Sequence, residues 1–326
     1  MRPRRFPSAI TAAFGLLTLA SYAAPTVLSQ RDVAAQYDQR TWTHQDGLPD
    51  DRVTAILQTG DGYLWAATPH GLARFDGKTF TVFDHLNTPG FVEDDCLSLA
   101  EDSQTNLWIS TRYHLFRKTG DQFTRITKEQ GIGHQGGLFL HADKSGNVWA
   151  YRDCWFCEIR KDGAIKSYFC DQPVRHEPVM AVCEESPGIA WLATLHGLFR
   201  FQSSEERFEP VPTGGELSNA PALGCCQTRD GARWVLFATA VPNLEATGKT
   251  FWLGGYKNGR WTATSALPVE ELCWKGPFLV ADASGALWLP GSQNGLLQFF
   301  GGQFRFVPMP HSGERDFAIC ACCDRQ

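Results

Sequence analysis

The chain has 326 residues, of which 43% are hydrophobic and 12% are aromatic, and its formal net charge is −5. A chain of this length and composition can bury a large core. The acidic balance leaves no basic stripe for a nucleic-acid backbone, so we expect no nucleic-acid partner.

The start of the chain has the pattern of a secretory leader. An arginine-rich segment precedes an apolar stretch from about Ala9 to Ala20, and Ser21-Tyr22-Ala23 fits a small-x-small cleavage site. The apolar stretch is short against the roughly 20 residues that span a bilayer, which favours cleavage over an uncleaved anchor. We therefore predict a signal peptide at residues 1–24, a linker at 25–39 and a periplasmic or extracellular protein.

Six tryptophans recur at nearly constant intervals through the rest of the chain. The gaps between them are 43, 41, 42, 43 and 54 residues, and a glycine precedes all but one of them by three positions. The six are Trp65, Trp108, Trp149, Trp191, Trp234 and Trp288. A period near 42 residues with four short β segments in each unit is typical of a propeller blade.

The first copy shows the four segments of the unit clearly. An apolar run at Val53–Gln58 is followed by a Gly-Asp-Gly turn and then by YLWAAT, GLARF and, after an Asp-Gly pair, FTVFD. Glycine and Asp-Gly pairs supply the positive φ angles of short hairpin turns, and the β-branched and aromatic residues between them favour strands. Each copy therefore predicts four strands, A to D, and no helix.

The segment Trp42–Phe80, WTHQDGLPDDRVTAILQTGDGYLWAATPHGLARFDGKTF, resembles the two-component regulator propeller repeat. That repeat has a DGLP-type turn, an apolar strand, a D-x-x-G-x-L-W turn and a T-x-x-G-L-x-R-[FY]-D strand, and later copies match it more weakly. Members of the family form the sensor part of receptors, commonly hybrid histidine kinases or diguanylate cyclases. The resemblance implies an extracytoplasmic ligand-sensing propeller whose partners are the downstream signalling domains of a receptor. No kinase residues follow, so we expect no enzyme activity in this chain.

The two ends of the chain match strands of one further blade. Arg40–Gln45 matches the D strands, and Phe317–Asp324 matches the A strands. Propellers of this family close by combining both chain ends in one blade. We therefore predict an all-β propeller of the seven-bladed type at residues 40–326, with six complete four-stranded blades and an incomplete, truncated seventh. A six-bladed ring with two spare strands is the competing interpretation.

Eleven cysteines suggest disulfides in an exported chain, and the odd number leaves at least one unpaired. A bridge to Cys170 and a strained vicinal disulfide at Cys225-Cys226 both stay open. Cys154 and Cys157 fall on opposite faces of a strand, which does not suit a zinc site. Five cysteines fall in strand A segments, where a small buried side chain fits: Cys96, Cys183, Cys225, Cys226 and Cys320. We expect buried free thiols, no metal and no cofactor.

The long, varied loops join strand B to C and strand D to the next A, and therefore emerge on one face of the ring. Recognition usually lies on such loops, so we predict a site there for a carbohydrate or other small polar ligand. Its predicted residues are His70, Arg112, His114, Arg152, His196, Trp274 and Asn294. Asn and His also tolerate turn conformations, so a turn-only role is the alternative for them. Arg74 and Arg200 are predicted to be structural partners between strands.

A sialidase-like enzyme and a protein-binding scaffold are the alternatives to the sensor. In sialidase-like propellers an Asp precedes the aromatic residue by five positions, whereas Asp102, Asp143 and Asp282 precede it by six, which argues against that family. A protein–protein interaction or scaffold propeller without a small-molecule ligand is the alternative, and it predicts a flat apolar face. A homodimer also stays open.

Overall fold

The computed structural model describes residues 40–134, 136–169, 178–239, 250–267, 279–290 and 295–308. These residues form six four-stranded sheets, in each of which the strands pair antiparallel in chain order. The prediction of an all-β propeller with six four-stranded blades is thereby confirmed. The predicted signal peptide and linker lie outside the described residues.

The first three blades follow one another without interruption. Blade 1 contains β1 (Ala55–Gln58), β2 (Leu64–Thr68), β3 (Gly71–Phe75) and β4 (Phe80–Phe83). Blade 2 contains β5 (Cys96–Glu101), β6 (Leu107–Thr111), β7 (Leu115–Thr119) and β8 (Gln122–Ile126). Blade 3 contains β9 (Phe139–Ala142), β10 (Val148–Arg152), β11 (Trp155–Ile159) and β12 (Ile165–Phe169).

The last three blades repeat the same order. Blade 4 contains β13 (Val179–Ser186), β14 (Ile189–Thr194), β15 (Gly197–Gln202) and β16 (Arg207–Pro210). Blade 5 contains β17 (Ala222–Gln227), β18 (Arg233–Thr239), β19 (Thr250–Lys257) and β20 (Arg260–Ala266). Blade 6 contains β21 (Val280–Ala281), β22 (Leu287–Pro290), β23 (Gly295–Phe300) and β24 (Gln303–Pro308).

Helical structure in the described residues is limited to three 3-10 turns, at His44–Asp46, Lys128–Gln130 and Gly215–Leu217. None of the described helices has the length and apolarity needed to cross a bilayer. The incomplete seventh blade is not confirmed. Residues 40–43 form no strand, His44 begins a 3-10 turn that ends at Gly47 in the left-handed region, and Phe317–Asp324 lies outside the described part of the chain.

The hydrophobic core lies between the blades rather than inside them. Five buried clusters fill the five boundaries between successive blades. Successive residues of a strand point to opposite faces, so each sheet supplies one row of side chains to the preceding blade and one row to the next. Trp149 and Phe156 of blade 3, for example, pack against Phe201 of blade 4.

The repeated tryptophan forms the same hydrogen bond in five blades. Its indole Nε1 donates to the side chain six residues earlier, at the start of the A–B turn. The acceptors are Thr59 at 3.1 Å, Asp102 at 2.8 Å, Asp143 at 3.0 Å, Glu185 at 2.9 Å and Asp282 at 2.8 Å. The aspartates also accept backbone N–H groups of the turn, as Asp143 does from Asn147 at 2.8 Å. One side chain thus closes the turn and orients the indole.

Two carboxylates at the end of strand A tie that strand to the turn of the preceding blade. Glu101 of blade 2 accepts the N–H of Gly60 at 2.9 Å, and Glu184 of blade 4 accepts the N–H of Lys144 at 2.7 Å. Both carboxylates are buried, where a lost partner is costly. These bonds fix neighbouring blades at the face opposite the long loops.

Arg74 and Arg200 have the structural roles that the sequence predicts. Arg74 lies across the strand pair from Trp65, and its guanidinium carbon is 4.5 Å from the centre of the Tyr63 ring. Arg200 lies opposite Trp191 in the same way, and its Nε is 2.7 Å from an oxygen of Glu185. Each arginine therefore packs along the strand B to strand C pair of its own blade.

The cysteines of the described residues are all free thiols. Cys225 and Cys226 are adjacent on β17, and their side chains belong to clusters on opposite faces of blade 5. Cys154 and Cys157 likewise belong to different clusters, as predicted. The vicinal disulfide left open by the sequence is therefore not formed, because alternation along a strand separates the two thiols. Cys170 and Cys320 lie outside the described residues.

We expect Asp143→Ala to lower the free energy of unfolding by about 2–4 kcal/mol, because it leaves the buried indole N–H of Trp149 and a turn N–H without their acceptor. Urea unfolding of the whole chain measures the loss. The matched control is Asp162→Ala in the exposed C–D turn of the same blade, where the carboxylate accepts only the N–H of Ala164. Equal losses in the two variants would contradict the role of the indole contact.

Glu185 gives the stability a dependence on pH. Burial opposes ionisation of this carboxyl group, but hydrogen bonds from Arg200 and Trp191 outweigh it and hold the pKa below the ordinary 4.5. A lowered folded-state pKa contributes stability that is present above the unfolded pKa and lost as the pH falls towards the folded one. We expect Glu185→Gln to lower Tm at pH 7 and the difference from wild type to shrink as the pH falls below 4.5. Thermal melts of Glu205→Gln, an exposed glutamate of the same blade, should show no such convergence.

Candidate functional site

A cavity of about 910 Å³ opens where blades 2, 3 and 4 meet. Its wall is built from the B–C turns of blades 2 and 3, the connection between these two blades, and the first residues of their neighbouring A strands. These are connections of the face that carries the long loops. Three of the predicted site residues line the cavity together: Arg112, His114 and Arg152.

The B–C turn of blade 2 is held by two acids from the loop before it. Arg112 donates its backbone N–H to the carbonyl of Asp95 at 2.9 Å, and its Nε is 2.9 Å from Oδ2 of the same residue. Glu93 accepts the N–H of Tyr113 at 3.1 Å and the hydroxyl of Thr111. The acids therefore fix the backbone of the turn and the direction of the Arg112 side chain.

Arg152 departs from the repeat. In blades 1, 2 and 4 the third residue after the tryptophan is a threonine, whose hydroxyl donates to a carbonyl across the B–C turn at 2.8–3.1 Å: Thr68, Thr111 and Thr194. Arg152 occupies this position in blade 3. Its Nη1 donates instead to the carbonyl of Gly136 at 3.1 Å, and its Nε is 3.5 Å from Asp153, which has a φ of 51°. The substitution places a guanidinium at the edge of the cavity.

Two glycines allow the connection between blades 2 and 3 to pass close to these side chains. A Cβ on Gly137, whose φ is 68°, would lie 1.7 Å from Nη1 of Arg152. A Cβ on Gly136 would lie 2.2 Å from the carbonyl carbon of Tyr113. A side chain at position 136 would collide with the backbone of the blade 2 B–C turn, and one at position 137 would displace the Arg152 guanidinium. Gly136 and Gly137 are not among the predicted site residues, although two adjacent glycines shortly before strand A are a sequence signal for such a close approach.

The cavity combines cationic and aromatic groups. The described lining contains two guanidinium groups, the imidazoles of His114 and His134, and the single carboxylate of Asp153. Tyr113 and Phe139 contribute aromatic rings that are 64% and 46% exposed. Guanidinium groups bind oxygen-rich groups through paired N–H donors, and aromatic faces pack against apolar ring surfaces. The described lining contains no serine, threonine or cysteine, so it offers binding groups rather than an alkoxide or thiolate nucleophile.

Two further predicted residues, His70 and His196, do not line this cavity. His70 and His196 each lie in a B–C turn. The backbone N–H of each histidine donates to the hydroxyl of the threonine two residues earlier, at 3.3 Å and 3.2 Å respectively. The Nδ1 atom of His70 also pairs with Asp50. These contacts hold the backbone of the two turns, and a ligand role for His70 and His196 stays a prediction. Trp274 and Asn294 lie outside the described residues. No group of three or more potential metal ligands occurs in the parts of the chain that the structure describes.

Solved structures with the same fold include proteins of different activities. The extracellular domain of BT3049 from B. thetaiotaomicron, described as a hybrid two component system, matches with a TM-score of 0.62 at 17% identity, covering 84% of this chain and 37% of that chain. Virginiamycin B lyase from Staphylococcus aureus matches with a TM-score of 0.60 at 15% identity, covering 83% of this chain and 88% of the lyase chain. The chain thus spans little more than a third of the BT3049 domain. These likenesses show the propeller fold.

No curated protein matches the chain in sequence. Residues 47–70, which include the DGLP turn, β1 and β2, match the family model of the Two component regulator propeller. The first repeat of the chain is therefore a two component regulator propeller repeat, which confirms the resemblance found in the sequence.

Proposed function

We propose that this chain is an extracytoplasmic ligand-sensing propeller of a two-component-type receptor and that it binds a small polar ligand, a carbohydrate fragment in the first instance. The observation that carries the proposal is the cavity in which Arg112, His114 and Arg152 meet. The family match at residues 47–70 and the fold shared with the extracellular domain of a hybrid two component system support it. In this proposal the chain is the binding module, and any kinase or cyclase output belongs to a separate domain.

The two arginines are held ready for a ligand before it binds. The Nε of each arginine forms an ion pair with a carboxylate: Arg112 pairs with Asp95, and Arg152 pairs with Asp153. Among the described residues, the Nη atoms of Arg112 have no hydrogen-bond partner, and its side chain is 60% exposed. A side chain already fixed by one contact loses less conformational entropy when a ligand occupies the others. The cavity can therefore hold hydroxyl or carboxylate oxygens at small entropic cost.

A protein-binding role for the same face is the second candidate. Leu86 and Val92 lie on the loop between blades 1 and 2 and are 83% and 57% exposed, and Tyr113 is exposed on the neighbouring turn. Exposed apolar side chains that share a face favour contact with a protein partner. The cavity beside them favours a small ligand, because it gathers guanidinium, imidazole and aromatic groups in one concave space.

Isothermal titration calorimetry with a panel of neutral and acidic saccharides tests the sensor proposal. We expect a member of the panel to bind, and Arg112→Ala and Arg152→Ala each to weaken binding by about 1–3 kcal/mol, roughly 5- to 150-fold in Kd, through the loss of a charge-assisted hydrogen bond. The far-ultraviolet circular dichroism of each variant should match the wild type.

The controls for this titration are His70→Ala and His196→Ala, which alter B–C turns of other blades and do not line the cavity. Both should leave Kd unchanged. Wild-type affinity in the two arginine variants would place the ligand elsewhere on the ring. If no saccharide binds the folded protein, the carbohydrate sensor is wrong and the protein-binding candidate is favoured.

A further inference from the structure

The distribution of the described cysteines is uneven. The five boundaries between blades each contain at least one of the six thiols, and four of the boundaries contain one alone: Cys96, Cys157, Cys154 and Cys226. The boundary between blades 4 and 5 contains two, Cys183 and Cys225. Only there, among the described residues, do two thiols share one buried cluster.

The two thiols approach this boundary from opposite sides. Cys183 lies on β13 directly across from Trp191, so the two side chains share a face of blade 4. The Trp191 ring is 4.9 Å from the ring of Tyr256 in blade 5, which shows that this face is turned towards blade 5. Cys225 lies on β17, the strand A of blade 5 that packs against β13.

The contacts of Cys225 place it beside the β13–β14 ladder at the level of Cys183. The Sγ of Cys225 is 4.0 Å from the carbonyl oxygen of Trp191, the residue paired with Cys183 across the β13–β14 ladder. Hydrogen bonding with the Cys183 thiol, together with burial, raises the pKa of Cys225 well above its ordinary value. Both residues are buried, with 1% and 7% of their surface exposed. The pair therefore consists of two buried thiols that face one boundary from the packed innermost strands of adjacent blades.

We propose that Cys183 and Cys225 are a cross-linking site, at which a disulfide joins blade 4 to blade 5 under oxidising conditions. The oxidant is a small-molecule or protein disulfide. One cysteine thiolate attacks a sulfur of the oxidant, forms a mixed disulfide and expels one thiolate; the second cysteine thiolate then displaces the other. The two cysteines lose two electrons in all, the oxidant becomes two thiols, and the two cysteine protons end on them.

The cross-link forms while the blades assemble. Nucleophilic attack needs a thiolate that the oxidant can reach, and in the finished propeller both thiols are buried and the raised pKa of Cys225 leaves little of its thiolate. During folding, β17 docks against β13 with both thiols still accessible to the oxidant. The geometry of the pair does not rest on the proposed sensor function, although the export proposed with it would expose the chain to oxidising conditions.

Refolding of the reduced, denatured full-length chain in a mixture of reduced and oxidised glutathione tests the site. Free thiols are then alkylated under denaturing conditions, and the chain is digested without reduction for mass spectrometry. We expect a linked peptide pair containing Cys183 and Cys225, with Cys96, Cys157 and Cys226 alkylated. The link closes a loop between residues 183 and 225, and we expect the oxidised protein to melt roughly 4–10 °C above the same protein in dithiothreitol.

The neighbouring residue supplies a matched control. Cys225→Ser and Cys183→Ser should abolish the difference in Tm between oxidising and reducing conditions, whereas Cys226→Ser, on the opposite face of the same strand, should keep it. Should a serine variant fail to fold, the peptide map of the wild type decides alone. Alkylation of both Cys183 and Cys225 in the refolded chain, or a link from either to another cysteine, would overturn the proposal.

Discussion

The hydrogen bond that the indole of five blades makes with the side chain six residues before it is the contact on which the rest of the structure depends. It joins a buried tryptophan to the A–B turn, so it fixes the pairing of the two innermost strands of the blade. The indole then fills the boundary with the next blade. A single repeated contact therefore sets both the sheet within a blade and the packing between blades.

This scaffold determines where binding groups can lie. The turns that carry the indole contacts, and the carboxylates of Glu101 and Glu184 that tie them to the next blade, occupy one face of the ring. The opposite face is free of that constraint and carries the connections that vary from blade to blade. Arg112 is held there by Asp95, an acid of a connecting loop, rather than by the repeated framework. The face that carries the A–B turns is thus rigid and supports the opposite face, where the connecting loops vary from blade to blade.

The period of the tryptophans was enough to predict six blades and their strand order, because a repeated local pattern specifies a repeated sheet. The site was predicted only in part. Arg112, His114 and Arg152 converge, whereas His70 and His196 remain in their turns, because equivalent positions of other blades lie at other places around the ring. The roles of the acids in the blade 1–2 loop depend on approaches between distant residues, which no local pattern contains. The Asp spacing that argued against a sialidase is, in the structure, the spacing of the indole acceptor.

Departures from the repeat are the better guide to function in a fold of this kind. A residue that follows the repeat, such as Thr68 or Thr194, has its role fixed by the turn it closes. Arg152 occupies the same position but does not donate a hydrogen bond across its own B–C turn. Its guanidinium donates to the carbonyl of Gly136, a position where a side chain would not fit. The threonine that closes this turn in blades 1, 2 and 4 is replaced by Arg152 in blade 3 and by Phe237 in blade 5, and the arginine is the replacement that lies beside the cavity. The same reasoning applies at the boundary between blades 4 and 5, where the second thiol is the departure from the pattern of the other boundaries.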